Sequence, residues 1–253
     1  MATQEWEQRQ HVLAGLFREW TRLEGARQRQ ECRRGAVIYS AGEPSDRVFL
    51  LKSGKVKIFR TGPDEKRFIV HLVGPGDLFG EMALLGEPER ENSAEVLEKA
   101  ALWEIPRRPL LEWLRAHPEV WRELANLFGR RMRSLEGAVE RLLFGEVEQR
   151  IIRLLLELGE QYGQRDEHGL DLRIALSQRE LAHLVGSTRE TTSGVLNRLR
   201  RRGWIRIRRR SLCLCSLADL ARAAQKPLAP RIPPRPEVSW PAEEARPSGT
   251  GDT

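Results

Sequence analysis

The apolar positions change their period several times along the chain. Leu13, Leu16, Phe17, Trp20 and Leu23 fall three and four apart, which predicts an amphipathic helix packed on the adjoining domain. Between Gly35 and Pro106 short apolar runs take over (AVIYS, RVFLL, KVKIF, FIVHLV, ALWEI), parted by the turn-forming stretches AGEPSD, KSGK, TGPDEK, GPGD and GEPEREN. Short strands punctuated in this way predict an all-β sandwich or small barrel. Arg107 to His117 reads as a short helix closed by Pro118. From about Glu119 to Phe144 helical spacing returns. Leu124, Phe128, Arg131, Leu135, Ala138 and Leu142 recur in alternating steps of four and three, the seam spacing of a coiled coil. An ordinary core-facing helix would need a wider apolar stripe, and Arg131 breaks a strict seam. The reading preferred is a helix between two subunits, because a β-domain and a separate basic domain flank it. Gly145 and Glu146 then form a hinge, and Val147, Ile151, Leu154, Leu155 and Leu158 resume the helical stripe.

After Lys226 the sequence KPLAPRIPPRPEVSWPAEEARPSGTGDT is Pro-rich and loses apolar periodicity, which predicts a disordered tail. Trp240 within it is a candidate docking residue, although an unstructured extension is the plainer reading. The expected organisation is a β-domain with its N-terminal helix over 1–118, a dimerisation helix over 119–144, a basic domain over 145–225 and the tail over 226–253.

Charge sharpens this division. The 253 residues carry a formal net charge of +7. From Leu176 to Gln225 eleven arginines face only Glu180, Glu190 and Asp219, so the whole excess sits in one segment. A solvated face is the common reading of such charge; its confinement favours a phosphate-binding surface. The 3 cysteines, Cys32, Cys213 and Cys215, do not make a disulfide framework and fit a reducing cytoplasm. No run approaches a membrane span and the N-terminus has no clean signal region. A cytoplasmic, soluble protein with no membrane partner is expected.

The basic segment contains LSQRELAHLVGSTRETTSGVLNRLRRRGWIRIRRRSLCLCSL. Ser177 and Glu180 form a capping box that starts a helix with Leu181, Ala182, Leu184 and Val185 on its buried side. Gly186 ends it. Ser187 to Glu190 reads as a second capping box, and Thr191, Val195, Leu196 and Leu199 as the buried stripe of a second helix. Two short helices joined by so tight a turn predict a helix-turn-helix, with small Ala182 and Gly186 where they approach. The outer side of the second helix offers Arg189, Glu190, Ser193, Gly194 and Asn197, and its N-terminal end is the part that meets base edges in a major groove. Arg pairs with guanine and Glu accepts from cytosine N4. Glu190 has a bland alternative as the third residue of a cap. Ser187, Thr188, Arg198, Arg200 and Arg201 are suited to phosphates. So are Arg206, Arg208 and Arg209 on a predicted hairpin wing.

These segments, with GPGDLFGEMALL (Gly74–Leu85) and STRETTSGVLNRL (Ser187–Leu199) the most specific, resemble the cyclic-AMP receptor protein / FNR (CRP/FNR) family of bacterial transcription regulators over roughly residues 14–220. The resemblance implies an α+β chain: a cyclic-nucleotide-binding-like β-roll (jelly roll), a long dimerisation helix and a winged helix-turn-helix. It implies a homodimer on a two-fold symmetric operator in double-stranded DNA, and recruitment or blocking of RNA polymerase, which the loop Gln164–His168 is placed to touch. Family recognition helices commonly read R-E-T-V-x-R. Arg189 and Glu190 match, but Gly194 stands in the slot of the last Arg, so one guanine contact is expected to be missing.

The sensor cassette departs further. The family's phosphate cassette has Gly-Glu, then Arg-Ser or Arg-Thr before Ala. Gly80 and Glu81 are present, but the later stretch is Arg90-Glu91-Asn92-Ser93-Ala94, so Asn92 stands where Arg is expected and Glu91 would repel phosphate. A local shift that brings Arg90 in is the alternative. The Thr-Ser pair that meets adenine in cyclic-AMP-binding members corresponds to Leu135-Glu136. A regulator with an altered sensor, independent of cyclic AMP and without a required effector, is therefore expected; one activated by cyclic AMP or another small ligand is the alternative. An iron–sulfur sensor needs more cysteines than Cys32, and His71 is alone as a haem ligand. Cys213 and Cys215 lack further ligands. The 5 histidines are scattered and no nucleophile elbow or Walker lysine is present, so neither a metal, another cofactor nor an enzyme is expected.

Overall fold

The computed structural model describes residues 20, 22–144, 146–208 and 211–224. The N-terminal half is an antiparallel sheet of β1 (Arg27–Cys32), β2 (Val37–Tyr39), β3 (Arg47–Thr61), β4 (Arg67–Val73), β5 (Leu78–Phe79) and β6 (Ser93–Pro106), in the order β1-β6-β3-β4, with β2 on β6 and β5 on β3. β3 and β6 pair from Arg47↔Pro106 to Phe59↔Ser93 with irregularities that bend the ladder. Bending lets both faces of β3 be covered. Phe49 and Leu51 enter one core with Tyr39, Phe79 and Leu102, while Val48 and Leu50 enter another with Trp20, Leu110 and Leu114. The continuous apolar run RVFLL reflects this two-sided burial.

Helix α1 (Arg107–Ala116) follows β6 directly, and α2 (Glu119–Phe144) carries the chain away. Helix α3 (Val147–Tyr162) begins at its N-cap Glu146. Then come a hairpin of β7 (Gly163–Asp166) and β8 (Gly169–Leu172), helices α4 (Gln178–Val185) and α5 (Arg189–Arg201), a wing of β9 (Ile205–Ile207) and β10 (Leu212–Leu214), and α6 (Leu217–Ala224). The C-terminal sheet runs β7-β8-β10-β9. Gln164–His168, read as a loop from sequence, falls within the hairpin Gly163–Leu172, whose strand β8 also pairs with β10. Of the N-terminal helix, Trp20 is described as helical and fully buried, edge-on to Trp113 at 5.8 Å. Leu13, Leu16, Phe17, Gly145, Arg209 and the Pro-rich tail lie outside the described residues.

The seam read along α2 divides. Leu124 is fully buried against its own β-domain, Phe128 packs on the same cluster, and Arg131 is turned toward Glu81. Leu124 therefore has no surface left for a second subunit, a correction to the seam as read. Leu135 is 39% exposed, beside Met132 at 59% and Val139 at 53%, and Ala138 is half-buried. Leu142 lies in the helix, and its side chain is outside the described ones.

The two halves are joined by buried charge. Lys57 of β3 bonds Glu95 at 2.8 Å and Glu180 of α4 at 3.2 Å; Arg34 bonds Glu180 at 3.2 Å and the Ala175 carbonyl at 3.3 Å. Glu98 accepts from Lys55 and from the Ala175 N–H, both at 2.8 Å. Leu97 and Leu72 of the β-domain pack into the C-terminal core beside these pairs. Burial alone would raise the Glu180 carboxyl, but the Ser177 N–H and hydroxyl and the Lys57 ammonium outweigh it and hold it below its ordinary value. A lowered carboxylate contributes stability that is full above its unfolded value and lost as pH falls through the folded one. Acid titration of unfolding, followed by tryptophan fluorescence, is expected to show this loss below about pH 4.3. Glu180→Gln should lower stability at neutral pH and flatten that acid limb.

Candidate DNA interface and sensor cavity

The helix-turn-helix is built as local chemistry dictates. Ser177 accepts from the Glu180 N–H and Glu180 accepts from the Ser177 N–H, so both halves of the first capping box are made. Gly186 closes α4 with φ 62, a left-handed conformation that glycine adopts without strain. The second cap differs from the sequence reading. Thr188, not Ser187, is the N-cap of α5, and its hydroxyl accepts from the Thr191 N–H. The shift by one residue follows from Gly186, whose turn uses the Ser187 N–H to bond Ala182. Thr192 is fully buried and Thr191 exposed, the reverse of the stripe as read; Val195, Leu196 and Leu199 are buried as read. The cap shift frees Glu190. It is not the third residue of a capping box; it stands exposed in the first turn beside exposed Arg189, and neither has a partner among the described residues.

Ser193 and Asn197 lie half-buried further along α5, and Ser187 lies half-buried in the turn. A Cβ on Gly194 would meet only the Arg198 guanidinium at 3.8 Å, so the slot is empty by residue type and not by crowding. The basic run separates into two groups. Arg200, Arg201 and Arg206 are exposed without an acidic partner among the described residues. Arg198 and Arg202 are held by Glu148 at the start of α3, at 3.0 and 2.7 Å, and Arg202 lies over the Trp204 ring at 5.0 Å. Arg208 lies 3.7 Å from Asp166 and 4.0 Å from Asp171. Burial would raise the Glu148 carboxyl, but the two guanidiniums lower it overall. Sequence reasoning missed Glu148 because it is fifty residues from Arg198 and carries no motif.

In the β-domain, Gly80 takes φ 71 and starts a short 3-10 helix, Glu81–Leu85, which presents Glu81 inward. Glu81 is buried and paired with Arg131 of α2, whose guanidinium also donates to the Leu78 carbonyl. Burial would raise Glu81, but Arg131 holds it below the usual carboxylate range. Arg90 places its guanidinium at the cavity: it is 6% exposed and donates to the carbonyls of Gly80 at 3.0 Å and Arg47 at 2.5 Å. It lies 4.5 Å over Tyr39 and 5.3 Å over Phe49. Backbone bonds between Arg90 and the turn at Gly42–Glu43 fix it there before β6 begins. Glu91, also at the cavity, is paired with Arg60, and Asn92 accepts from the Tyr39 hydroxyl at 3.1 Å. Ser93 bonds the Ala41 N–H at 3.0 Å. His71 lines the same cavity, its Nε2 without a hydrogen-bond partner among the described residues; burial, then Arg131, lowers it to about 3, so it is neutral. The space left among Tyr39, His71, Glu81 and Arg90 is about 20 Å³.

Cys213 is buried with its thiol 3.6 Å from the His168 carbonyl, and Cys32, Cys213 and Cys215 are all free. Among the described residues no group of three metal-ligating side chains comes together, and no helix is long and apolar enough to cross a membrane.

Glu148→Gln would leave Arg198 and Arg202 without their carboxylate. Non-specific duplex binding is expected to tighten, and the slope of log K against log salt to steepen by up to about two phosphates. An unchanged slope would mean that neither guanidinium reaches phosphate.

Comparison with known proteins matches residues 29–117 to the cyclic nucleotide-binding domain and residues 149–223 to the Crp-like helix-turn-helix domain. The chain is 33% identical over 192 residues to the CRP-like cAMP-activated global transcriptional regulator of Mycobacterium tuberculosis, covering 76% of this chain and 86% of that protein. It is 37% identical over 180 residues to the cyclic AMP receptor protein of Thermus thermophilus, covering 71% and 80% respectively. A solved CRP-family transcriptional regulator of Thermus thermophilus superposes with a TM-score of 0.67 at 32% identity, over 79% of this chain and 98% of that one. With a cyclic-nucleotide-binding β-domain, long helix and winged DNA-binding helix-turn-helix in this order, the chain belongs to the CRP/FNR family of transcription regulators.

Proposed function

We propose that this regulator binds a two-fold symmetric operator as a homodimer without requiring cyclic AMP. The carrying observation is the filled sensor cavity. Glu81, the carboxylate that would hold a ribose hydroxyl, is neutralised by Arg131, and Arg90 is spent on two carbonyls and two aromatic faces. The space that remains has room for about one water. The exposed stripe Met132, Leu135 and Val139 supports pairing of two α2 helices, because these residues share one face and nothing among the described residues covers it. Pairing there sets two α5 helices about 34 Å apart, one DNA turn. Arg189 and Glu190 read bases, and Arg200, Arg201, Arg206 and the wing hold phosphates. β7 is exposed along all four residues and is the surface offered to RNA polymerase.

Activation by a cyclic nucleotide is the second reading, favoured by the position of Arg90 at the cavity and by relatives named for cyclic AMP. Calorimetry separates the two. Cyclic AMP is expected to bind no tighter than about 10 μM, roughly −7 kcal/mol; tighter, saturable binding would refute independence.

Selection from random duplexes with ligand-free protein is expected to recover a two-fold site. Its half-site should lack preference at the base read by the last family arginine, a difference of about 1–3 kcal/mol, because Gly194 offers no donor. Recovery of only non-specific, salt-sensitive binding would mean that the dimer awaits an effector.

A further inference from the structure

Neither the sensor nor the base-reading helix accounts for the stretch Cys213-Leu214-Cys215. Cys213 is the middle residue of β10, opposite Asp171 of β8 and Arg206 of β9. Leu214 is buried in the C-terminal core, so the cysteines on either side of it take the other face of the sheet. Cys213 is fully buried, and its thiol donates to the His168 carbonyl at 3.6 Å. Cys215 follows the strand directly and is half-buried; its thiol donates to the Cys213 carbonyl at 3.8 Å and lies against the Cys213 thiol.

The two sulfurs are adjacent but unequal. Burial, and then Cys215 beside it, raise the Cys213 thiol to about 11, so it stays protonated and shielded at neutral pH. Cys215 reaches water and is the sulfur that a small oxidant meets first. A sulfenic acid formed there condenses with a neighbouring thiol. Cys213 is that neighbour, whereas Cys32 is buried in the core of the N-terminal sheet.

We propose that Cys213 and Cys215 are an oxidation site that closes to an intrachain disulfide under a hydroperoxide and thereby loosens the wing. The peroxide O–O bond breaks as its oxygen joins the Cys215 sulfur, and one water or alcohol leaves. The Cys213 sulfur then attacks the Cys215 sulfur. The S–O bond breaks, the S–S bond forms, and the oxygen departs as water with the Cys213 proton. The two sulfurs together lose the two electrons that the peroxide gains.

Residues two apart on an extended strand have Cα atoms about 6.8 Å apart, the long limit of what a disulfide spans. Closing the bond therefore draws β10 out of its extended form. Gly169 approaches the Leu214 carbonyl so closely that a Cβ there would collide, which leaves no slack on the β8 side. The distortion falls on the pairing with β9, where Cys213 faces Arg206. A bond strained in this way is easily reduced again, as a switch requires. Its effect on the wing rests on the DNA reading above, in which Arg206 holds phosphate.

The test treats the reduced full chain with hydrogen peroxide, alkylates the remaining thiols after unfolding, and weighs the tryptic peptide Ser211–Arg222. The peptide is expected to lose two hydrogens and take no alkyl group, and dithiothreitol should reverse this. Cys32 should remain alkylatable. Cys213→Ser should stop at a sulfenic acid on Cys215 that dimedone traps, and Cys215→Ser should leave Cys213 reduced. Two alkylated cysteines in the peptide, a bond between chains, or oxygen added to Cys215 of the unsubstituted chain without bond closure overturns the site. Duplex titration then compares the oxidised and reduced chains. A loss of about tenfold, reversed by dithiothreitol and absent in Cys215→Ser, is expected when the wing gives up phosphate contact. Bond closure with unchanged DNA affinity overturns the switch and leaves the site; a reduced chain that binds no duplex overturns the DNA reading instead.

Discussion

Glu180 is the side chain on which the arrangement turns. One carboxylate caps the first helix of the helix-turn-helix, accepts from Lys57 in the sensor sheet, and anchors Arg34 from the loop after β1. Local helix formation and interdomain docking therefore share one charge. Lone buried carboxylates are expensive, and this one is tolerated because both oxygens are satisfied. The position of α5, and hence of Arg189 and Glu190, follows from α4 being held at that point.

The sensor shows the same principle applied to an internal pocket. A cavity lined by a guanidinium, carboxylates and an imidazole would normally invite a ligand or water. Here the protein supplies its own counter-groups: Arg131 for Glu81, backbone carbonyls and aromatic faces for Arg90. Because Arg131 belongs to α2, filling the cavity also fixes the helix whose far half exposes the apolar stripe. The cavity and the helix that carries the exposed stripe thus share a single arginine.

Much of this is legible in the sequence, and the failures have physical causes. The change of apolar period marks the strands, the long helix and the two helices after Ser177, because each rests on local spacing. The first cap is legible from Ser177 and Glu180; the second is displaced by one residue because Ser187 and Thr188 are both competent caps and only the geometry after Gly186 chooses between them. Arg90 escapes a count of family spacing along the sequence, because its bonds to the Gly42–Glu43 turn decide where it points. Leu124 falls into the seam because a heptad pattern does not say which neighbour a leucine faces. Glu148, Lys57 and the β7–β8 hairpin depend on partners elsewhere in the chain and leave no local trace.

The packing of Leu97 and Leu72 into the C-terminal core bears on how such regulators can be recombined. Leu97 sits in the N-terminal sheet but is fully buried in the cluster built mostly from the C-terminal half. The two halves are consequently not interchangeable modules. A swap that joined this sensor to another reader would uncover an aliphatic side chain and leave Lys57 with only its own sheet for company.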